Sequence, residues 1–528
     1  MSFAGRFGDA EERIPRGIPS IGAMLFLILF LVTLYHGSQL LSDGDTGWHI
    51  ISGERILATH AFPHVYPYYY TMSGAHWQDF EWLSEVLMAV CYKMMGLNGV
   101  VLLTLSVITL TIMFLYRFML RRGVNPVLAA LFTILAAKVS SVHWLARPHI
   151  FSLPMTLAFF VILDTYQRGE KDRLLLLPLL TIPWVNLHGG YILGIFFVVV
   201  YASGNLLLSV ISPGDRRGYR TKAGRLWLIL ALCVAAACIN PYGPALLTLP
   251  FRLVGNKFLV NHIWEFQSPN FHYELPAEIL FIVSGAIFVI AGRKPNLFEG
   301  ALIILLAHMS LFAMRFFPLF ALVITPMAAV RFEDALSRIL AGARHSKILE
   351  GIGRRLKKAG KTFAAVEMRP TWRLPVIACL AITFAIAVNG GKVMNIKVMD
   401  MHFSSKSLPV NAVNFALDNN IKGNVFNDFA WGGYIVYRSY PRYKVFIDGN
   451  WLGLPMMRKY MKILSGRAGY EKLLEKYNVD WVIVAPHVPL VQLLLATGKW
   501  SLVYKDKNAV VILKDAPENQ GIVGKYRI

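Results

Sequence analysis

The stretch Ser42-Asp-Gly-Asp-Thr-Gly-Trp-His49 decides how the chain is organised. It follows directly on an apolar segment, residues 18–37, that is long enough to cross a bilayer. Two carboxylates, Asp43 and Asp45, therefore stand one residue apart where the chain leaves the membrane. Residues 48–57 then have the pattern of a short amphipathic helix. Asp45 has two interpretations, as the N-cap of that helix or as a reactive group at the membrane surface.

Composition places the chain among polytopic membrane proteins. Of its 528 residues, 55% are hydrophobic and only 16% are charged, whereas average soluble domains carry about 25% charged residues. We therefore expect a mostly α-helical membrane protein with about 11 transmembrane helices. The segments of bilayer length lie at 18–37, 97–117, 124–142, 150–166, 173–187, 189–210, 225–240, 276–291, 297–314, 316–331 and 373–390.

The basic residues predict the orientation of the chain. The net charge of +22 comes largely from short loops between apolar segments, of which the connector 331–373 is the most basic. Because cytoplasmic loops carry such residues, we expect the N-terminus inside and the first loop, 38–96, outside a bacterial cytoplasmic membrane. This pattern requires that 81–96 lies along the outer surface as an interfacial helix. No nucleic-acid-binding motif accompanies the charge, so we expect no nucleic-acid partner.

The sequence divides into two predicted domains. Residues 1–390 form the transmembrane domain, which includes the long first loop, and residues 391–528 form an extracytoplasmic α/β domain. In the latter, helix patterns alternate with short strand patterns at 425–427, 444–448, 481–486, 501–505 and 509–513. The chain has neither GxGxxG nor a Walker A motif, which argues against a loop that cradles a nucleotide.

Asp43 and Asp45 are the first candidates for chemistry. A hydroxyl or amide becomes a good nucleophile when a carboxylate removes its proton, and Asp45 with Asp43 in support could do so. Two carboxylates at this spacing could also share Mg²⁺ or Mn²⁺, which favour oxygen ligands. The same loop adds His49 and Glu81 as candidate substrate contacts, and an aromatic run at 66–70. For the aromatic run, anchoring at the membrane interface is the favoured interpretation.

Four further charged or polar side chains stand near the predicted outer ends of the helices or in the loop between them: Arg147, His188, Glu265 and Arg315. Charged groups at membrane depth tend to face a cavity or an anionic partner. The two arginines are candidates for binding the phosphate of a lipid carrier, because a guanidinium binds phosphate with two parallel hydrogen bonds. The alternative is that each arginine extends to the lipid headgroups.

At these residues the sequence resembles the GT-C superfamily of membrane glycosyltransferases, which have a catalytic Asp just after the first helix. Asp45-Thr46 stands where that motif falls, although the Asp-Glu pair of aminoarabinose and mannosyl transferases is absent. A second stretch, Asn427-Asp-Phe-Ala-Trp-Gly-Gly-Tyr434, is similar to the Trp-Trp-Asp-Tyr-Gly region of oligosaccharyltransferase catalytic subunits. It lacks the double Trp, which puts binding of an Asn-X-Ser/Thr acceptor in doubt. Asp448, shortly after it, either closes a strand or contacts the acceptor.

The resemblance implies a membrane glycosyltransferase that moves a sugar from a polyprenyl-phosphate or -pyrophosphate carrier to an extracytoplasmic glycan, lipid or protein. Two other classes stay open. A transporter or flippase of lipid-linked saccharides predicts paired broken helices in two related halves, which the sequence does not display. A non-catalytic membrane protein whose outer domain binds a glycan or a partner is also compatible with the sequence. In every case, membrane lipids are expected partners.

Overall fold

The computed structural model describes residues 19–249, 251, 255, 261–342, 347–367, 369 and 373–528. Residues 1–18, predicted to lie in the cytoplasm, and parts of the loop 241–275 and of the connector 331–373 fall outside the described residues.

Helices dominate the chain up to residue 388. In chain order they are Ile21–Tyr35 (α1), Asp45–Thr59 (α2), Trp82–Met95 (α3), Leu97–Arg121 (α4), Pro126–Ser140 (α5), Ser152–Gln167 (α6), Leu176–Leu187 (α7), Tyr191–Ile211 (α8), Arg216–Ala237 (α9), Leu275–Ile290 (α10), Leu297–Phe312 (α11), Phe317–Gly342 (α12), Lys347–Glu367 (α13) and Arg373–Val388 (α14). Each of the predicted transmembrane segments overlaps one of these helices, and the predicted helices at 48–57 and 81–96 are α2 and α3.

Length and hydropathy identify which helices are able to cross a membrane. Within the described residues, five are long and apolar enough: Leu97–Arg121, Pro126–His143, Pro148–Gln167, Tyr191–Ile211 and Met314–Leu340. Five shorter apolar helices are α1, α7, α10, α11 and α14. The chain is therefore a helical membrane protein, whereas a count of 11 crossings stays a prediction.

The described chain forms two compact units. The first comprises the described residues of Met1–Tyr35, Leu105–Trp144 and His149–Ile386. The second comprises His36–Thr104, Leu145–Pro148 and Ala387–Ile528. The first loop thus belongs to the same unit as the C-terminal residues, whereas the predicted division at residue 390 assigned it to the transmembrane domain. Whether the division at 390 separates a transmembrane from an extracytoplasmic domain stays a prediction.

The second unit contains a four-stranded sheet. Its strands follow a short hairpin, Lys392–Val393 (β1) and Ile396–Lys397 (β2), and are Asn424–Asn427 (β3), Val479–Val484 (β4), Trp500–Lys505 (β5) and Val510–Lys514 (β6). The order is β3-β4-β6-β5, with β3 and β4 parallel and the other pairs antiparallel. The central strands β4 and β6 are mostly buried, which explains their nearly continuous apolar sequences. The helices of this part are Val410–Asp418 (α15), Gly432–Ser439 (α16), Leu454–Leu464 (α17), Tyr470–Lys476 (α18), Pro489–Ala496 (α19) and Gln520–Tyr526 (α20).

One predicted strand is wrong. Residues 444–448 make only an isolated bridge, in which Val445 pairs with Tyr69. The tyrosine run, rather than a neighbouring strand of the sheet, satisfies this backbone, since Val445 donates to the carbonyl of Tyr68 at 2.9 Å.

Glycines allow helix α2 to pack closely within the second unit. A Cβ on Gly47 or Gly433 would overlap backbone of the facing helix, so α2 and α16 meet with their main chains nearly in contact. A Cβ on Gly53 would likewise overlap the carbonyl of Glu85 in α3. These contacts fix α2, and the aspartates at its start, against two neighbouring helices.

Candidate functional site

The two aspartates share one arginine at the start of helix α2. Arg147 Nη1 lies 2.9 Å from Asp43 Oδ2, and its Nη2 lies 3.3 Å from Asp45 Oδ2. The side chains are half-buried or buried, with exposed fractions of 20% for Arg147, 23% for Asp43 and 9% for Asp45. At this burial, ion pairs are screened by water less than surface pairs are. The three residues form the candidate site.

Asp43 shapes the turn into the helix. Its Oδ1 accepts a hydrogen bond from the backbone N–H of Asp45 at 2.8 Å, as in an Asx turn. The helix begins at Asp45 itself, with Gly44 in the N-cap position and no side-chain cap. The N-cap interpretation of Asp45 is therefore wrong, and the Asp45 carboxylate is available for its contact with Arg147.

The arginine loop, Leu145–Pro148, is tied to the aspartate stretch by two hydrogen bonds. The N–H of Ala146 donates to the carbonyl of Leu40 at 2.8 Å, and the Thr46 hydroxyl donates to the carbonyl of Ala146 at 3.0 Å. Thr46 is fully buried. Thr46 thus positions the loop that carries Arg147.

Asp45 also lies against the segment that follows the predicted strand 444–448. A Cβ on Gly449 would overlap both oxygens of the Asp45 carboxylate, so only glycine leaves room for that carboxylate here. The preceding residue, Asp448, is fully buried and accepts hydrogen bonds from the hydroxyls of Tyr66 and Tyr69, both at 2.5 Å. Burial raises the pKa of Asp448 to about 6, although these hydrogen bonds partly stabilise the ionised form.

The tyrosine run is therefore not an interfacial anchor. Tyr66, Tyr68 and Tyr69 are buried to within 1% exposure, and the Tyr68 hydroxyl lies 2.9 Å from Ser52 Oγ on α2. Burial raises the pKa of all three phenols well above its usual range, so they remain hydrogen-bond donors at neutral pH. The run packs inside the second unit and orders Asp448.

A second acidic group lies on the other side of α2. His49 Nδ1 is 2.9 Å from Glu85 Oε1, and both side chains are buried. Burial and the neighbouring Asp79 raise the pKa of Glu85, and burial raises that of Asp79 to about 7. Two facing buried carboxyls favour holding one proton between them, since both cannot be ionised cheaply. Glu81, a candidate substrate contact, precedes α3 and donates its backbone N–H to Asp79.

The remaining predicted site residues lie in the first unit. Arg315 Nη1 is 3.0 Å from Glu265 Oε1, and its guanidinium lies 4.3 Å from the centre of the Phe266 ring. The other oxygen of Glu265 is 3.7 Å from His143 Nε2. His188 Nδ1 accepts from the backbone N–H of Gly190 at 3.0 Å. Arg315 and Glu265 thus form an ion pair that the sequence did not predict.

The carboxylate pair does not fit a metal centre in this arrangement. Arg147 already pairs with both Asp43 and Asp45, so its guanidinium takes the place between the carboxylates that a shared cation would need and offsets one of their two negative charges. Within the part of the chain that the structure describes, no group of three or more His, Cys, Asp or Glu side chains is placed to hold a metal ion.

Some of these residues were singled out in the sequence and others were not. Asp43, Asp45 and Arg147 come together, although 104 residues separate the arginine from Asp43. Thr46 and Gly449 were not predicted as contributors to the site. A single threonine or glycine has no sequence pattern that indicates such a role, which becomes apparent only in the folded structure.

Comparison with known proteins gives a fold. The sequence matches no family model and no curated protein sequence. The structure is similar to that of the oligosaccharyltransferase from Archaeoglobus fulgidus in the apo form, with a TM-score of 0.55 and 13% identity over 88% of this chain and 69% of that one. It is also similar to the A. fulgidus oligosaccharyltransferase AglB in complex with an inhibitory peptide and a dolichol-phosphate, with a TM-score of 0.52 and 12% identity over 94% and 75% of the two chains.

A third structure, ArnT from Cupriavidus metallidurans bound to undecaprenyl phosphate, aligns at a TM-score of 0.44 with 14% identity, over 94% of this chain and 98% of that one. That score is too low to support an argument. Identities this low show the fold and not the activity. The predicted GT-C-like fold is confirmed at the level of architecture.

Proposed function

We propose that the protein is a membrane glycosyltransferase that takes its sugar from a polyprenyl-phosphate or -pyrophosphate carrier. The observation that supports this most directly is the Asp43–Arg147–Asp45 group at the start of the first helix after the first apolar segment, within a GT-C-like fold. The A. fulgidus enzyme that shares the fold was solved with a dolichol-phosphate, which is a carrier of the proposed class.

The proposed reaction is a displacement at the anomeric carbon. An acceptor oxygen or nitrogen forms a bond to that carbon, and the bond from the carbon to the carrier phosphate oxygen breaks with its electron pair. The acceptor proton goes to Asp45, and the departing phosphate, which takes the electron pair of the broken bond, gains one negative charge. This chemistry requires positioning, one base and a cation beside the leaving group.

Asp45 is the better candidate for the base. Asp43 accepts a hydrogen bond on one oxygen and the shorter ion pair on the other, so both of its oxygens serve the local structure. Asp45 makes the longer contact with Arg147 and is more buried. Asp43 then acts as a positioning residue that orients Arg147.

Arg147 is proposed to stabilise the carrier phosphate. A guanidinium has five N–H donors in a planar fork, so it is able to bind carboxylates and a phosphate oxygen together. Arg315, Glu265 and His188 stay predicted contacts of the substrate, as do His49, Glu81 and Asp448. A divalent cation is not assigned a step, because Arg147 supplies the positive charge.

The membrane arrangement is part of the proposal. Eleven helices cross a bacterial cytoplasmic membrane, the N-terminus is cytoplasmic, and the region from 391 forms an extracytoplasmic domain that meets a glycan, lipid or protein acceptor. Single cysteines introduced at exposed positions, Asp418 outside and Lys358 inside, test this in intact cells. An impermeant thiol reagent is expected to label the first and not the second.

The activity is tested on membranes from cells that lack the gene, because such membranes supply both accumulated donor and unmodified acceptor. Purified full-length protein is added, and mass spectrometry follows lipid-linked saccharide and released polyprenyl phosphate. Asp45→Asn is expected to slow release at least about 100-fold, the usual contribution of a general base. Asp418→Asn, an exposed acid in the same unit, is the matched control and is expected to match the unmodified protein.

Two outcomes contradict the proposal. If Asp45→Asn protein is folded and keeps full turnover, Asp45 is not the general base. Donor that stays intact but moves to the opposite leaflet indicates a flippase instead of a transferase.

A further inference from the structure

The first unit contains an open cavity lined by arginines, separate from the residues of the proposed reaction. Its enclosed interior is small, about 20 Å³ or roughly the room of one water molecule, and it opens at a wide mouth that brings the total empty space to about 360 Å³. Arg122, Arg168, Arg293 and Arg331 line it, together with only two acidic side chains, Asp164 and Glu299. The lining therefore carries an excess of positive charge.

One of these arginines, Arg331, has its side-chain donors paired with other groups of the protein. Arg331 is 3% exposed and donates to the carbonyls of Met327, Arg293 and Lys294. Its Nη2 also lies 2.6 Å from Glu299 Oε2. Arg331 and Glu299 form the fixed floor of the cavity, and neither is expected to take part in binding.

The other three arginines keep donors that the protein does not use. Arg122 contacts Asp164 and Glu170 only through Nη1, at 3.6 and 2.9 Å. Arg168 uses Nε and Nη2, at 3.0 Å to Asp164 and 3.3 Å to Glu299. Within the described residues, the structure gives no acceptor to Nη2 of Arg122, to Nη1 of Arg168 or to the Arg293 side chain.

The rest of the lining is apolar. Phe118, Phe160, Pro326 and Val330 cover the remaining wall. Arg122 and Arg168 directly follow two helices that are long and apolar enough to cross a membrane, and Pro326 and Val330 belong to a third. A basic pocket with an apolar wall at the ends of such helices suits a phosphate head group attached to acyl chains.

We propose that this cavity binds a phosphate group, supplied by an anionic membrane lipid. Arg122, Arg168 and Arg293 donate to the phosphate oxygens, and the phenylalanines contact the glycerol and the first methylenes. Bound lipid bridges the ends of α4 and α6 to the middle of α12, so it stabilises the helical unit without entering the proposed reaction.

The test uses the full-length protein purified in a neutral detergent. Short-chain phosphatidylglycerol is titrated while the melting temperature is followed, since a ligand that binds only the folded state raises it. Native mass spectrometry counts the bound lipid. Phosphatidylcholine and inorganic phosphate are titrated in parallel to separate a lipid from a free anion.

Three variants locate the binding. Arg122→Gln and Arg293→Gln are each expected to weaken binding about tenfold, because each removes a charged hydrogen bond. Val330→Phe fills the apolar wall and leaves every charge in place, and it is expected to reduce lipid binding as well. Arg216→Gln removes an exposed arginine of the same unit and is expected to leave binding unchanged.

Binding of phosphatidylglycerol that the cavity variants weaken supports the site with a lipid source. Equal binding of inorganic phosphate with the same sensitivity to Arg122→Gln supports the site with a soluble source. Absence of binding, or equal loss in Arg216→Gln, overturns the proposal. Turnover measured with the unmodified protein is unaffected by either result, so failure here is distinct from failure of the proposed function.

Discussion

The arginine that joins the two aspartates allows the sharpest test of the site. Replacing Arg147 by Gln leaves Asp43 and Asp45 without their common positive partner, one residue apart and mostly buried. Asp45→Asn removes the opposite partner. Because Arg147 contacts the carboxylate of Asp45, we expect the two substitutions to be coupled, so that the double variant is less destabilised than the sum of the single ones.

The expected coupling follows from the distance and burial. Two unit charges 3.3 Å apart interact by about 5 kcal/mol at an effective dielectric constant of about 20. Desolvation of partly buried charges and loss of side-chain freedom offset much of this, leaving about 2 kcal/mol of net coupling. Arg147→Lys keeps the charge but not the planar fork, and we expect it to retain about half of that coupling by holding one carboxylate.

The measurement is a double-mutant cycle on the free energy of unfolding, from urea titration of the purified protein in neutral detergent. Lys397–Asp400 is the control pair. Its atoms are closer, at 2.7 Å, but its side chains are 51% and 60% exposed. We expect less than about 0.5 kcal/mol of coupling there. Equal coupling in both pairs, or additive effects of Arg147→Gln and Asp45→Asn, would refute the argument that burial makes the site pair strong.

Three further substitutions probe the second unit. The raised pKa of Asp448 means that the folded state holds its proton more tightly, so the stability this group contributes is present below about pH 4 and is lost as the pH rises through about 6. The shift from 3.8 to about 6 is worth about 3 kcal/mol, and the free energy of unfolding of Asp448→Asn protein should lack this decline with pH. Gly449→Ala places a methyl group on the Asp45 carboxylate and should reduce turnover at least about tenfold, whereas Gly524→Ala, whose added methyl meets no atom, should not. Thr46→Val leaves a carbonyl of the arginine loop unpaired and should cost about 1–2 kcal/mol of stability, and Thr46→Ser should restore most of it in the same thermal assay.

Local pattern predicted the elements of the fold. Helical periodicity and apolar length located the helices, because both are properties of neighbouring residues. Four of the five predicted strands exist for the same reason. The exception, 444–448, is a run of β-favouring residues whose backbone partner is the tyrosine run, about 375 residues earlier. A prediction from local sequence pattern does not include a partner at that distance along the chain.

The candidate site was predicted in part. Two acidic residues directly after an apolar segment form a local sequence pattern, so Asp43 and Asp45 could be predicted as site residues. Arg147 was visible as a charge in an apolar neighbourhood, but not as the partner of those acids. The buried hydrogen bonds from Tyr66 and Tyr69 to Asp448 were not predicted, because an aromatic run has the same sequence pattern at a membrane surface and in a protein core.

The stretch 427–434 shows how a family motif changes its meaning with its neighbours. Trp431 is 7% exposed and donates its indole N–H to the carbonyl of Ser407 at 3.1 Å. Asp428 accepts from the N–H of Ala430 at 2.9 Å, which starts the turn into α16. Gly433 packs against the start of α2, where a side chain would overlap the carbonyl of Gly44. Because these side chains and this glycine serve the packing of the second unit, the stretch holds the aspartate-bearing helix in place instead of presenting a surface to a peptide. In the proposed function, acceptor recognition is then expected to depend on other residues, since a likeness in fold to an oligosaccharyltransferase does not carry a peptide acceptor with it.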